Sequence, residues 1–153
     1  YQLHASPNHP KSRGEITLNS SDPYDYPKIL FNYLKEEEDL KQTRECIHVA
    51  RKILSQPALA EHAGDEVGPG FNAQSDDELN EYIRSKADTA YHPCGTCKMG
   101  VDDMAVVDQD LKVNGIGNLR VIDASVIPEI PSANLNAPTL MIAEKGSEAI
   151  LNN

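Results

Sequence analysis

The chain has 153 residues, of which 39% are hydrophobic and 25% are charged, a length and composition that allow a globular domain with a buried core. Its formal net charge of −10 argues against nucleic-acid binding, because nucleic-acid binders need basic surface to displace counterions. The same charge argues against attachment to anionic lipid by electrostatics alone. The sequence contains no apolar run of the ~18 residues that a membrane-spanning helix needs.

The start of the chain and its cysteine content bear on its origin. The sequence opens at Tyr1 without an initiator methionine or a targeting segment, so we expect a piece of a longer protein. Its three cysteines are an odd number and do not have the pattern of a disulfide scaffold. A reducing compartment is therefore the default expectation.

The first third of the chain contains two short β-type stretches and one clear helix. Glu15–Leu18 alternates and is rich in β-forming residues, which predicts a short strand, and Ile29–Leu34 predicts a brief extended piece. Apolar residues at helical spacing, an acidic first turn and a basic last turn predict a helix over Glu36–Ser55. Pro57 ends this helix.

A second helix and several short β pieces are predicted downstream. Ser75 and Glu78 have the form of a capping box, which predicts a helix that ends at about Lys86. Short apolar and β-branched runs predict three β pieces, the last of them a buried strand: Val106–Asp108, Leu111–Val113 and Leu119–Asp123.

The last predicted element completes a mixed fold. Pro138 suits the first turn of a final helix over Thr139–Leu151. The order strand, helix, helix, strands, helix predicts a mixed α/β or α+β class. Long loops take up a large share of the chain, and we expect them to pack against other parts of a larger protein.

Residues 91–100 contain the densest group of chemically capable side chains. Cys94 and Cys97 form a C-x-x-C motif, which is compatible with packing cysteines, with a redox pair, or with a metal site that takes His92 as a third ligand. A histidine before a proline is held in an extended conformation at the edge of a loop. His92 can therefore be a structural residue, or a general acid or base, because histidine changes protonation near neutral pH.

Two further groups of polar residues admit both structural and functional interpretations. Asn134 and Asn136 precede Pro138, so they can cap the last helix, or they can lie at a helix start whose free N–H groups bind an anion. Asp123 follows an apolar run, so it can end a strand or accept hydrogen bonds from a chain of hydroxyl groups.

Together these residues resemble the C-terminal region of the glucose–methanol–choline (GMC) oxidoreductases, and their pattern is typical of the choline branch. The matching pieces are in order and correctly spaced: Tyr91–Gly100, Val107–Asp108, Leu119–Pro128 and Asn134–Thr139. The resemblance implies the C-terminal part of a two-domain fold that contributes to a substrate-domain sheet and to an FAD domain. It implies that residues 1–99 belong to the substrate domain and carry the active-site histidine, and that residues 100–153 return to the FAD-binding domain.

The resemblance also implies a reaction. FAD would be the cofactor, and an alcohol, in the first place choline oxidised to betaine aldehyde, would lose a proton with the help of His92 and a hydride to flavin N5. Asn136 would position the substrate oxygen, so His92 and Asn136 are expected at the rim of one cavity. The flavin is expected to contact five residues: Asp123, Ala124, Asn136, Ala137 and Pro138.

Partners and alternatives follow from the same resemblance. The expected partners are a small alcohol substrate, an electron acceptor such as a quinone, and the N-terminal part of the same enzyme, because no G-x-G-x-x-G fingerprint is present here. The isolated piece is expected to be inactive. The expected location is the mitochondrial inner membrane, a bacterial membrane or the bacterial cytoplasm. The alternatives are a small metal-binding module using His92, Cys94 and Cys97, a non-catalytic relative, or another GMC alcohol dehydrogenase, oxidase or lyase.

Overall fold

A computed structural model describes residues 1–152, which divide into a first unit, Tyr1–Asp88, and a second unit that begins at Thr89. The regular elements, in chain order, are β1 (Glu15–Thr17), β2 (Lys28–Leu30), α1 (Glu37–Leu54), a 3-10 helix (Pro57–His62), α2 (Asp76–Lys86), a second 3-10 helix (Ala124–Val126) and α3 (Asn136–Leu151). The mixed α/β class predicted from the sequence is confirmed, with helices dominant and a small sheet.

The small sheet is an antiparallel ribbon in the first unit. β1 pairs with β2 so that Ile16 lies opposite Ile29, and all six strand residues are exposed. A side chain at Gly14 would bring its Cβ within 2.2 Å of the Leu30 carbonyl oxygen, so only glycine allows the chain to enter the ribbon here. The predicted β stretches are therefore real but shorter than the sequence pattern indicated.

The two helices of the first unit form its apolar core. α1 packs against α2, and Leu40, Leu79 and Ile83 are each at most 3% exposed. The capping box at the start of α2 is confirmed: the Ser75 N–H donates to Glu78 Oε2 at 2.8 Å, and the Glu78 N–H donates to Ser75 Oγ at 3.3 Å. Both predicted helices match the observed bounds within two residues at each end.

A buried carboxylate ties the N-terminal segment to α1. Asp39, 2% exposed, accepts hydrogen bonds from the backbone N–H groups of Lys11 at 2.6 Å and Ser12 at 2.7 Å. Burial raises the pKa of the Asp39 carboxyl, but these donors and the nearby Arg13 outweigh burial and leave the pKa below its ordinary value of 3.8. Asp39 is therefore ionised at neutral pH and holds the chain that leads into β1.

A second charged side chain on α1 organises the loop that follows it. Arg51 Nε donates to Glu66 at 3.0 Å, and its Nη2 donates to the carbonyl oxygens of Gly70 at 3.1 Å and Ala73 at 2.9 Å. Its Nη1 is buried without a hydrogen-bond partner among the described residues. The predicted loop between the helices is thus fastened to α1 by one guanidinium group.

The second unit is built around an apolar core and little regular backbone. Its core consists of six residues: Val107, Leu111, Val126, Ile127, Leu135 and Ile142. In its described residues, 89–152, β pairing is limited to isolated bridges, which join residue 107 to residues 99 and 113 and residue 112 to residue 120. The predicted β pieces at 106–108 and 111–113 are therefore single bridges and not strands.

The prediction of a buried strand over Leu119–Asp123 is wrong. Leu119 is 46% exposed, so the run is not buried at its start. The segment pairs with residues 111–113 through one bridge. Two backbone hydrogen bonds join the same stretches, from the Val113 N–H to the Leu119 oxygen and from the Val121 N–H to the Leu111 oxygen. The run ends at Asp123, which is the N-cap residue of the second 3-10 helix, so no further residues are available to extend this ladder. An apolar, β-branched composition favoured a strand, but the tertiary path allows only a bridge.

The final helix packs closely against this segment. α3 begins at Asn136, three residues earlier than predicted, and Pro138 occupies its third position. A Cβ at Gly146 would lie 2.5 Å from Ile122 Cγ2, so glycine allows the helix to approach the chain at this point. Among residues 1–152, no helix has both the length and the apolar character required to cross a membrane.

The boundary between the two units differs in position from the predicted domain boundary. The units separate after Asp88, so His92 belongs with the second unit, whereas the sequence placed residues 1–99 in a substrate domain and 100–153 in an FAD-binding domain. The assignment of the two parts to those domains stays a prediction.

Candidate active site

His92 is a half-buried residue in an irregular segment of the second unit. The preceding residue, Tyr91, has a φ angle of 61°, in the left-handed region that side-chain-bearing residues seldom adopt. The Tyr91 N–H donates to Thr89 Oγ1 at 2.9 Å. Pro93 follows His92 and restricts its backbone, so both neighbours of the histidine are constrained.

The segment after His92 is attached to the turn at residues 124–127. Cys94 packs against the apolar core, the Cys97 N–H donates to the Ser125 carbonyl oxygen at 3.0 Å, and the Met99 N–H donates to the Val126 carbonyl oxygen at 2.8 Å. Gly95 has a φ angle of 87°, so glycine is required for the change of direction between the two cysteines. The C-x-x-C motif therefore acts in the fold as part of a turn that is bonded to the second 3-10 helix.

Asp123 caps this second 3-10 helix. Its Oδ1 accepts hydrogen bonds from the Ser125 N–H at 2.7 Å and from the Ser125 hydroxyl group. Asp123 is exposed and Ala124 is half-buried. The structure therefore gives Asp123 a local capping role at the start of a turn, and not the end of a strand. Its predicted contact with a cofactor stays a prediction.

The start of α3 differs from the asparagine-capped end that the sequence allowed. Leu135 occupies the N-cap position, is 6% exposed, and provides no side-chain cap. Asn136 is the first helical residue and is exposed, as is Ala137, while Pro138 is half-buried and has no N–H group. The backbone N–H groups of this first turn have no acceptor within the helix, and they lie at the positive end of its dipole.

Short stretches of chain connect the predicted site residues to one core. His92 is two residues before Cys94, which packs on the apolar core, and Asn136 directly follows Leu135, which belongs to that core. Asp123 and Ala124 begin the 3-10 helix that bonds to Cys97. All of these residues therefore lie in the second unit. The convergence of the His92 and Asn136 side chains on one cavity stays a prediction.

Two further observations concern the alternatives. Within residues 1–152, no three histidine, cysteine, aspartate or glutamate side chains could jointly hold a metal ion, so the geometry does not support a metal site made by His92, Cys94 and Cys97. Within the same residues, none of the three cysteines forms a disulfide bond. A groove of ≈ 510 Å³ lies along one face of α3, beside Met99 and Leu111, and none of the predicted site residues line it.

The sequence pattern did not single out two residues that organise this region. Ser125 accepts the Cys97 N–H through its backbone oxygen, and Thr89 accepts the Tyr91 N–H through its hydroxyl oxygen. Both contacts depend on the folded path of the chain. Thr89 lies two residues before Tyr91, so a hydroxyl residue followed by a turn was the one signal available in the sequence.

Comparisons with known proteins agree with the resemblance seen in the sequence. The family model described as GMC oxidoreductase matches residues 10–143. An oxygen-dependent choline dehydrogenase from Vibrio vulnificus (strain YJ016) is 49% identical over 153 residues, covering 99% of this chain and 27% of that protein. The chain thus spans about a quarter of the length of that relative.

Solved structures match the fold over nearly the whole chain. The crystal structure of pyridoxine 4-oxidase from Mesorbium loti has a TM-score of 0.87 and 31% identity, covering 95% of this chain and 28% of that one. An FAD-dependent oxidoreductase from Chaetomium thermophilum has a TM-score of 0.88 and 28% identity, covering 94% of this chain and 25% of that one.

Proposed function

The chain belongs to the GMC oxidoreductase family, and on this premise we propose that it is the C-terminal quarter of an FAD-dependent enzyme that oxidises an alcohol. Choline is the proposed substrate and betaine aldehyde the product. The 49% identity to a relative named oxygen-dependent choline dehydrogenase supports choline as the substrate over that of the pyridoxine 4-oxidase, which is 31% identical. A quinone is the proposed electron acceptor, and the name of that relative makes dioxygen the alternative.

The observation that carries the proposal is the attachment of the His92 segment to the core that also anchors the start of α3. The hydrogen bonds from Cys97 and Met99 to the turn at 125–127 fix the backbone that follows His92. Leu135, which anchors the first turn of α3, belongs to the core on which Cys94 packs. This arrangement gives the histidine and the helix start defined positions in one unit, as a catalytic site requires.

The start of α3 fits the anionic edge of a flavin. Its first turn has no side-chain cap, and the exposed residues Asn136 and Ala137 present N–H groups at the positive end of a 16-residue helix. Asp123, Ala124 and Pro138 complete the set of residues proposed to contact the cofactor. A bound flavin would supply the hydride acceptor for the reaction.

The remaining chemistry falls to this chain's own side chains. His92 would accept the hydroxyl proton of the alcohol, and Asn136 would donate a hydrogen bond to the substrate oxygen and hold it in place. The trimethylammonium group of choline offers no N–H donors, so aromatic faces are suited to bind it. Tyr91, 77% exposed and adjacent to His92, is the aromatic residue proposed for that contact.

A kinetic test uses the full-length protein that carries this chain. We expect His92→Ala to lower kcat for choline-dependent dye reduction by about 10²–10⁴-fold, because a general base contributes that much. His62→Ala is the matched control, since His62 is exposed and pairs with the adjacent Glu61. Wild-type turnover by His92→Ala, with FAD retained, would contradict the proposal.

The substrate and acceptor need separate measurements. A panel of primary alcohols, pyridoxine and aryl alcohols among them, ranks substrates by kcat/KM, and choline is expected to rank first. Oxygen consumption compared with quinone reduction distinguishes the two acceptors. A product that retains the oxidation state of the substrate would indicate a lyase instead.

A further inference from the structure

Tyr91 has a backbone conformation that its side chain disfavours. Its φ angle of 61° brings the Cβ atom close to a carbonyl oxygen, and this crowding makes left-handed positions costly for bulky residues. The side chain is 77% exposed, so burial of the ring does not compensate for the conformation. A local backbone contact is therefore needed to keep Tyr91 in this state.

The hydrogen bond to Thr89 is such a contact. The hydroxyl oxygen of Thr89, a half-buried residue, accepts the Tyr91 N–H at 2.9 Å and closes a three-residue turn over residues 89–91. The peptide unit after Tyr91 is the one that enters His92. The conformation of Tyr91 therefore sets the direction in which the His92 backbone begins.

The other side of His92 is fixed independently. Pro93 restricts the histidine to extended conformations, and Cys94 is packed against the apolar core. His92 thus lies between an anchored segment and the turn closed by the hydrogen bond from Tyr91 to Thr89. Of the two constraints, the turn is the one that a single substitution can release without disturbing the core.

We infer that Thr89 is a positioning residue that orients the imidazole of His92 by holding Tyr91 in the left-handed conformation. The inference rests on the proposed function of His92 as the base. If the acceptor is removed, Tyr91 relaxes towards the extended region, and the peptide that enters His92 rotates. A displacement of about 1 Å at a catalytic group costs up to ~10²-fold in rate.

Substitutions at Thr89 in the full-length protein test the contact directly. Thr89→Val and Thr89→Ala remove the acceptor, and we expect each to lower kcat about 10-fold. KM for choline should also rise, because Tyr91 is proposed to contact its trimethylammonium group, whereas KM for a primary alcohol without that group should change much less. Thr89→Ser keeps the hydroxyl oxygen and is expected to retain the wild-type rate. Thr17→Val is the matched control, because Thr17 lies exposed in β1 of the other unit. FAD content and Tm are measured for every variant.

Two double-mutant cycles separate positioning from a general structural effect. In a His92→Ala background, Thr89→Val is expected to have no further effect on the rate, because the group it orients is gone. In a Tyr91→Gly background, Thr89→Val is expected to cost less than it does beside tyrosine, because glycine adopts the left-handed conformation without help.

The possible outcomes are distinguishable. Wild-type activity of His92→Ala would contradict the proposed function itself. A His92→Ala variant that is inactive, together with Thr89→Val at the wild-type rate, would overturn only the inference about Thr89. If Thr89→Val lowers the rate equally with and without His92, the inference is also overturned. Loss of FAD from the Thr89→Val and Thr89→Ala variants, or from all three Thr89 variants, would likewise overturn it, because the residue would then act on cofactor retention.

Discussion

In the first unit, ionised side chains on α1 hold loops in place, whereas the second unit is organised by six buried apolar residues. Asp39 binds the segment before β1 and Arg51 binds the loop after the 3-10 helix. In the second unit, core residues such as Val107 and Val126, which are fully buried, hold irregular backbone in position. Of the residues proposed for catalysis, His92 lies on this irregular backbone and Asn136 is the first residue of α3, which follows the core residue Leu135, so the geometry of the site depends on apolar packing and backbone hydrogen bonds.

The first test of this contrast removes the guanidinium clamp. We expect Arg51→Met to lower the opening free energy of first-unit amides by about 3 kcal/mol, because it leaves Glu66 and two carbonyl oxygens without their donor. Native-state hydrogen exchange measures this change by peptide. Arg84→Met, at an exposed position of α2, is the control and should have little effect. If Arg51→Met lowered the hydrogen-exchange protection of both units equally, the guanidinium group would not be a specific clamp of the first unit.

The second test addresses apolar packing in the second unit. Gly146→Ala is expected to lower the opening free energy of amides in α3 by about 2 kcal/mol, because overpacking against Ile122 outweighs the helix propensity of alanine. The same hydrogen-exchange measurement applies. Adding Ile122→Ala removes the three atoms that the new methyl group meets, so the double variant should lose less than the sum of the two single losses. Strictly additive losses would show that the close approach is not the cause.

The smallest expected effect concerns the buried carboxylate and depends on pH. Asp39→Asn should cost about 1 kcal/mol in first-unit stability at about pH 7, because the charge-assisted bonds from Lys11 and Ser12 are weakened. The folded pKa of Asp39 is below 3.8, so its contribution is present above that value and is lost as the pH falls through the folded pKa.

The difference between wild type and Asp39→Asn should therefore narrow when the opening free energy is measured again at about pH 3. Asp65→Asn, in an exposed loop, is the control and should behave like wild type at both pH values. A difference that stays constant between the two conditions would exclude ionisation of Asp39 as its source.

Local signals in the sequence were sufficient for the helices. The bounds of α1 and α2 followed from helical spacing, terminal charges and the capping box at Ser75, all of which act within a few residues of one another. The pairing of β1 with β2 did not follow from the sequence, although both stretches were recognised. It brings together residues 15–17 and 28–30 across a connection whose path local propensity does not determine.

The candidate site divides in the same way. His92, Asn136 and the motif around them were singled out in the sequence, but spacing and residue chemistry alone also allowed structural roles, and the catalytic roles came from the resemblance to the GMC family. Packing against the core of the second unit determined two features that the sequence did not predict: residues 119–123 form no strand, and α3 starts without a side-chain cap. The hydrogen bond from Tyr91 to Thr89 is local, but the left-handed conformation of Tyr91 beside it was not predicted from the sequence.

By itself, the sequence determined the helices, the mixed fold class, the family and the identity of the residues proposed for catalysis. The tertiary structure alone decided which apolar runs became bridges and not strands, which residue lies at the N-cap position of α3, and how the segment after His92 is bonded to the turn at residues 124–127. The physical reason is that propensity, capping and residue chemistry act over a few neighbouring residues. Bridge pairing and the placement of an irregular segment are decided by contacts between residues far apart in the chain.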